Sequence, residues 1–75
     1  MLLAERIRKI RESNNLTQLE IAERCEMSSS AYGQIERKAS QSSYETLKKI
    51  ADSLGVSILF LLDVESNEYK EKNKL

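Results

Sequence analysis

The segment from residue 17 to residue 37 constrains this chain most, because it holds two capped helical stretches joined by the short turn Cys25, Glu26 and Met27. Thr17 is a good N-cap, since its hydroxyl can accept a backbone N–H that a helix start leaves unpaired, and Glu20 follows three residues later as a capping box requires. Leu19, Ile21 and Ala22 supply apolar positions for a helix running to about Arg24. Ser28 is a second N-cap, opening a helix over Ser29–Arg37 with Tyr32 and Ile35 as its inward face.

The rest of the chain is helical by the same test. Leu3, Ile7 and Ile10 recur at i, i+4 and i+7 before the polar run Ser13, Asn14, Asn15, which predicts a first helix over Leu3–Ser13. Leu47, Ile50, Ala51 and Leu54 predict a fourth, with Ser43 as its cap and Gly55 as a left-handed stop. Ser57 caps the apolar stretch 58–62, residues 39–43 read as a polar loop, and the charged tail 63–75 is expected to fray. With no proline, two glycines and no alternating strand pattern, the prediction is all-α: a compact five-helix bundle over residues 1–62. Leu3, Ile7, Ile10, Leu19, Ala22, Met27, Ile35, Leu47, Ile50, Leu54 and Leu61 should form its core.

Twelve basic and twelve acidic residues cancel, which is unusual for a partner of nucleic acid. Placement matters more than the sum: Arg6, Arg8, Lys9 and Arg11 cluster near the start, and Arg37 and Lys38 sit mid-chain. Cys25 is the sole cysteine and histidine is absent, so an intrachain disulfide and a Cys/His zinc site are both excluded. The opening Met1, Leu2, Leu3, Ala4 meets charge at Glu5, which is neither a signal peptide's apolar stretch nor a membrane span, and predicts a cytoplasmic protein. Glu20 and Glu23 lie i, i+3 on one helix, but with no histidine or nucleophile beside them they read as solvated surface. Without a glycine-rich phosphate loop either, no enzyme activity, cofactor, metal or small-molecule ligand is expected.

Residues 17–37 have the helix-turn-helix layout. Spacing alone fits any small helical bundle nearly as well, but residue identity goes further. Arg11, Leu16-Thr17-Gln18, Ile21-Ala22-Glu23, Met27-Ser28, Ile35-Glu36-Arg37, Glu45-Thr46-Leu47, Ile50-Ala51 and Leu54-Gly55-Val56-Ser57 together resemble the XRE family, the DNA-binding domain of phage repressor and Cro proteins. The resemblance runs from about Ile7 to Leu62 without insertion. It implies a lambda-repressor-like bundle whose helices 2 and 3 form the helix-turn-helix, with the third helix in the major groove. It implies a small transcriptional regulator on double-stranded DNA, more a repressor than an activator, working as a homodimer on a near-palindromic operator. Three positions depart from the family. Glu26 stands where the turn glycine is usual, Lys38 where a glycine often follows the recognition helix, and Ser42 where a proline is common.

Carried over residue by residue, the resemblance puts Gln34, Ser29 and Ser30 at base-reading positions of the third helix. A glutamine can pair bidentately with adenine, worth about 1–3 kcal/mol of discrimination, whereas the two serines serve equally well as helix-capping residues. Thr17, Gln18, Ser28, Arg37 and Lys38 fall at positions facing the DNA backbone. Arg11 and Glu36 fall where the family forms a partly buried ion pair between helices one and three, and Cys25 takes a position where small alanine is usual. Gly33 inside the recognition helix costs about 0.8–1 kcal/mol relative to alanine, so either close approach to DNA requires it or the site tolerates it. Lys48, Lys49, Arg6 and Arg8 read as solvated charges. Between Ile58 and Leu61 the family places polar or acidic residues, but this chain has Leu59 and Phe60, which are expected to form the homodimer contact, the alternative being that the tail folds back over them through Val64 or Tyr69. The alternative is a protein-interaction module, such as an antitoxin or a coactivator-like helical domain, which neutral charge and the Leu59–Phe60 pair also allow.

Overall fold

A computed structural model describes residues 2–63. It contains α1 (Leu3–Ser13), α2 (Gln18–Arg24), α3 (Ser29–Arg37), a 3-10 turn (Ala39–Gln41), α4 (Tyr44–Leu54) and α5 (Ile58–Leu61). Among the described residues every regular element is helical. The tail expected to fray lies, beyond Asp63, outside the described residues.

Local chemistry starts and stops these helices. Thr17 Oγ1 accepts the Glu20 amide at 3.1 Å while the Glu20 carboxylate accepts the Thr17 amide at 2.9 Å, the reciprocal box anticipated from their spacing. Ser28, Ser43 and Ser57 accept the amides of Ala31, Thr46 and Phe60 in the same way. Three helices end alike. Asn15, Glu26 and Gly55 each adopt a left-handed conformation, with φ of 57°, 58° and 73°. After each, the next amide reaches back to the preceding helix: Leu16 to the Arg11 carbonyl, Met27 to Ala22 and Val56 to Ala51. These are Schellman closures, and Leu16, Met27 and Val56 then pack against the core as such closures favour.

The core gathers Leu3 and Ile7 from α1, Ile21, Ala22 and Cys25 from α2 and its end, Tyr32 from α3, and Ala39. Leu47, Ile50, Ala51 and Leu54 from α4 and Leu61 from α5 complete it. Ile10, Met27 and Ile35, expected at the centre, are half-buried against it. Leu19 is a correction, because it is 55% exposed. The inward face of α2 is set by Ile21, Ala22 and Cys25, and Leu19 lies about 200° around the helix from Ile21 at 3.6 residues per turn. The segment read as a polar loop is also corrected. Residues 39–41 form a 3-10 turn anchored by buried Ala39, with Gln41 donating to the Lys38 carbonyl and Ser42 to that of Ala39. The Cys25 thiol, at a position where the family usually has alanine, is buried at the end of α2, 3.1 Å from Ser53 Oγ.

Candidate nucleic-acid interface

The Schellman closure at Glu26 turns the chain sharply, and α3 packs chiefly against α2, with α1 behind it. Holding a non-glycine residue at this φ costs on the order of 1 kcal/mol. Lys38 needs no such conformation: at φ −114° and ψ 38° it caps α3 and leads directly into the 3-10 turn, so the family's glycine is dispensable there.

One face of α3, made of Tyr32, Gly33 and Glu36, is buried. Its other face carries Ser29, Ser30, Gln34, Arg37 and Lys38, all exposed. Thr17 and Ser28 are exposed as well, and their hydroxyls are engaged as caps, which leaves the hydroxyl hydrogen of each as a donor. The helix-turn-helix thus brings three candidate base readers and five candidate backbone contacts to neighbouring positions on two packed helices.

Beneath this face lies a buried network. Arg11 Nε donates to Glu36 Oε2 at 2.9 Å and Arg11 Nη2 to Glu36 Oε1 at 3.2 Å, with Arg11 8% and Glu36 4% exposed. Arg11 Nη1 donates to the Leu16 carbonyl at 2.9 Å, which ties α1 to the turn leading into α2. The pair anticipated by resemblance has two further members. The Tyr32 hydroxyl donates to Glu36 Oε2 at 2.7 Å, and Gln18 Nε2 donates to Glu36 Oε1 at 3.3 Å. Burial pushes the Glu36 carboxyl up, but the hydrogen bonds from Arg11 and Tyr32 and the Arg11 charge outweigh it, so the group titrates below its ordinary value. The Arg11 guanidinium is held above its own by the Glu36 hydrogen bond. Burial first, and Glu36 second, push the Tyr32 phenol well up. The i, i+4 spacing of Tyr32 and Glu36 was the available signal for its membership.

The cations sort themselves by partner. Arg6, read as solvated, lies 4.4 Å from the Phe60 ring centroid and donates to the Phe60 carbonyl at 3.0 and 2.8 Å, which fastens α1 to α5. Arg24 donates to the Ser53 carbonyl, and Lys48 pairs with Asp52. Arg37 and Lys38, at the end of α3, have no carboxylate partner among the described residues. Leu59 and Phe60 are 78% and 49% exposed. The described residues hold no cluster suited to a metal ion, and no described helix is long and apolar enough to cross a membrane.

An exposed polar helix face, mounted by a tight closure on a second capped helix and edged by unpaired cations, defines a helix-turn-helix domain of the DNA-binding class. A helix-turn-helix family model matches residues 7–61, and the chain belongs to the XRE-type helix-turn-helix family. It is 32% identical over 80 residues to the immunity repressor protein of Bacillus phage phi105, covering 99% of this chain and 56% of that one. It is 34% identical over 67 residues to the uncharacterized HTH-type transcriptional regulator YqaE of Bacillus subtilis strain 168, covering 89% of this chain and 58% of that one. The chain thus spans little more than half the length of these relatives. No solved structure matches it at comparable significance.

Proposed function

We propose that this chain is a DNA-binding transcriptional regulator, a repressor rather than an activator, which binds double-stranded DNA as a homodimer on a near-palindromic operator. The observation that carries the reading is the α3 face. Ser29, Ser30 and Gln34 stand exposed on a helix whose opposite side is locked into the core, beside Arg37 and Lys38 with no ion-pair partner among the described residues. Such a helix suits the major groove, where side-chain donors and acceptors read base edges while cations and hydroxyls hold the phosphates. Zero net charge does not oppose this, because four cations away from α3 are already engaged: Arg6, Arg11, Arg24 and Lys48. Family membership supports the reading, and so does resemblance to proteins named as an immunity repressor and a transcriptional regulator.

Selection of bound duplexes from a random-sequence library, followed by gel-shift titration, tests it. Gln34→Ala is expected to change preference at one base position by about 1–3 kcal/mol, because a base-edge contact is lost. Lys38→Ala is expected to weaken all sequences alike and to lower the salt slope by about one, because a phosphate contact is lost. Failure of the wild type to bind any duplex at low salt refutes the reading and favours a protein-interaction module instead.

A further inference from the structure

Where the end of α2 packs beside α4, the two enclose a cavity of about 210 Å3, lined by Arg24, Cys25 and Glu26 on one side and by Lys49, Asp52 and Ser53 on the other. That is far more room than one water needs and less than the roughly 300–1,000 Å3 of a drug-sized ligand's site, so its occupant is small. Two positions where the chain departs from its family meet here, Cys25 in place of alanine and Glu26 in place of the turn glycine. The glutamate stands there although its backbone is held left-handed at φ 58°, which glycine would adopt without strain. We propose that this cavity binds a small zwitterion of the α-amino-acid class, its carboxylate on Lys49 and Arg24 and its ammonium on Glu26.

Partners inside the fold decide which of these charges are free. Asp52 is paired with the Lys48 ammonium at 2.9 Å. Arg24 Nη1 donates to the Ser53 carbonyl at 2.8 Å, which fixes the guanidinium against α4 and leaves its other N–H groups for an acceptor. Glu26 and Lys49 have no ion-pair partner among the described residues. Cys25 and Ser53, the least exposed of the six, are bonded to each other at 3.1 Å, and the Ser53 hydroxyl donates to the Lys49 carbonyl at 2.9 Å, so they supply a small polar wall between the charges. A simple anion would meet the carboxylates of Glu26 and Asp52, and a simple cation would meet Lys49 and Arg24. A neutral molecule would leave both signs facing water alone. Only a ligand carrying both charges close together answers both, and each attraction is stronger in a partly enclosed site than in bulk water. No small-molecule ligand is expected from the sequence alone, because the two walls come together only when α2 and α4 pack. The site shares no residue with the α3 face, so it does not rest on the DNA-binding reading.

An NMR titration of the full chain, followed at the backbone amides, tests it. Glycine and L-serine are the probes, and acetate and methylammonium, each carrying half of the charge pair, are the controls. Both amino acids are expected to give saturable shifts confined to residues 24–27 and 49–53, with half-saturation at roughly 1 mM, in keeping with ligands of so few atoms. Neither half-ligand should saturate at about ten times that concentration, because each meets one charge of its own sign. Glu26→Gly and Lys49→Ala should each raise the half-saturation concentration about tenfold, because each removes one charged contact. Glu26→Gly relieves a left-handed glutamate and Lys49 is exposed, so melting curves should show both variants folded. No saturable shift with either amino acid overturns the proposal. So does an equal response to acetate or methylammonium, which would mean adventitious ion binding only, or an unchanged half-saturation in either variant. If the wild type binds no duplex yet these shifts saturate, the regulator reading falls and this site stands.

Discussion

At the scale of single residues, the most informative positions are the three left-handed ones. Asn15, Glu26 and Gly55 occupy equivalent places in three Schellman closures, yet they differ in how easily they adopt a positive φ. Glycine does so freely and asparagine tolerably, whereas glutamate sets its Cβ against the following carbonyl. Glu26→Gly is therefore expected to raise stability by about 1 kcal/mol, read as a higher denaturation midpoint with an unchanged slope. Lys38→Gly should give no gain, because φ there is −114°. Equal stabilisation by both substitutions contradicts this account of the turn.

Between elements, the decisive contact is the one through which α1 holds α3. Glu36 on α3 takes both Oε atoms to Arg11 on α1 and adds bonds from Tyr32 and Gln18. Removing one partner of so buried a pair costs about 3–5 kcal/mol, a large share of the roughly 4–11 kcal/mol that holds a domain of this size. The pH dependence follows from the depressed Glu36 carboxyl. A carboxyl whose folded value lies below its unfolded one binds fewer protons when folded. Its contribution is fully present above the ordinary value of 4.5 and is lost as the pH falls through the lowered folded value. Exposed Glu20, lowered by its bond to the Thr17 amide, adds in the same direction. Melting temperatures should thus fall on the acid side of 4.5, and Glu36→Gln should flatten that fall while lowering stability at neutral pH. An acid limb as steep in the variant as in wild type assigns the dependence elsewhere.

For the whole molecule the open face is α5. Leu59 is 78% exposed, and Phe60 is 49% exposed with the Arg6 guanidinium over its ring. The longest dimension of the described domain is 32 Å, and it presents a single α3. A near-palindromic operator asks for two such helices about 34 Å apart, which one copy cannot supply. A two-fold partner presenting the same patch would remove both side chains from water, at about 1.5–3 kcal/mol for each fully buried. Leu59→Glu is the cleaner test, because a glutamate at position 60 would find Arg6 beside it. Sedimentation of the wild type at micromolar concentration is expected to show a dimer and that of Leu59→Glu a monomer. A monomeric wild type, or a variant that still dimerises, removes α5 from the interface.

What the sequence by itself determined about this protein is what short-range chemistry decides. Thr17, Ser28, Ser43 and Ser57 cap helices by contacts within three residues, and Gly55 stops α4 by its own backbone freedom, so helix positions were legible with few errors. The helix-turn-helix and the Arg11–Glu36 pair were legible because the spacing and identities of the residues match a known family. Only the tertiary structure decided the rest. The outward turn of Leu19 depends on which side of a seven-residue helix meets the bundle, and three apolar residues on so short a helix do not settle its phase. Arg6 reaches Phe60 across 54 positions and Gln18 reaches Glu36 across 18. Such contacts exist only once helices distant in sequence have packed side by side, because what a side chain touches there is set by the packing of the helices and not by its neighbours along the chain.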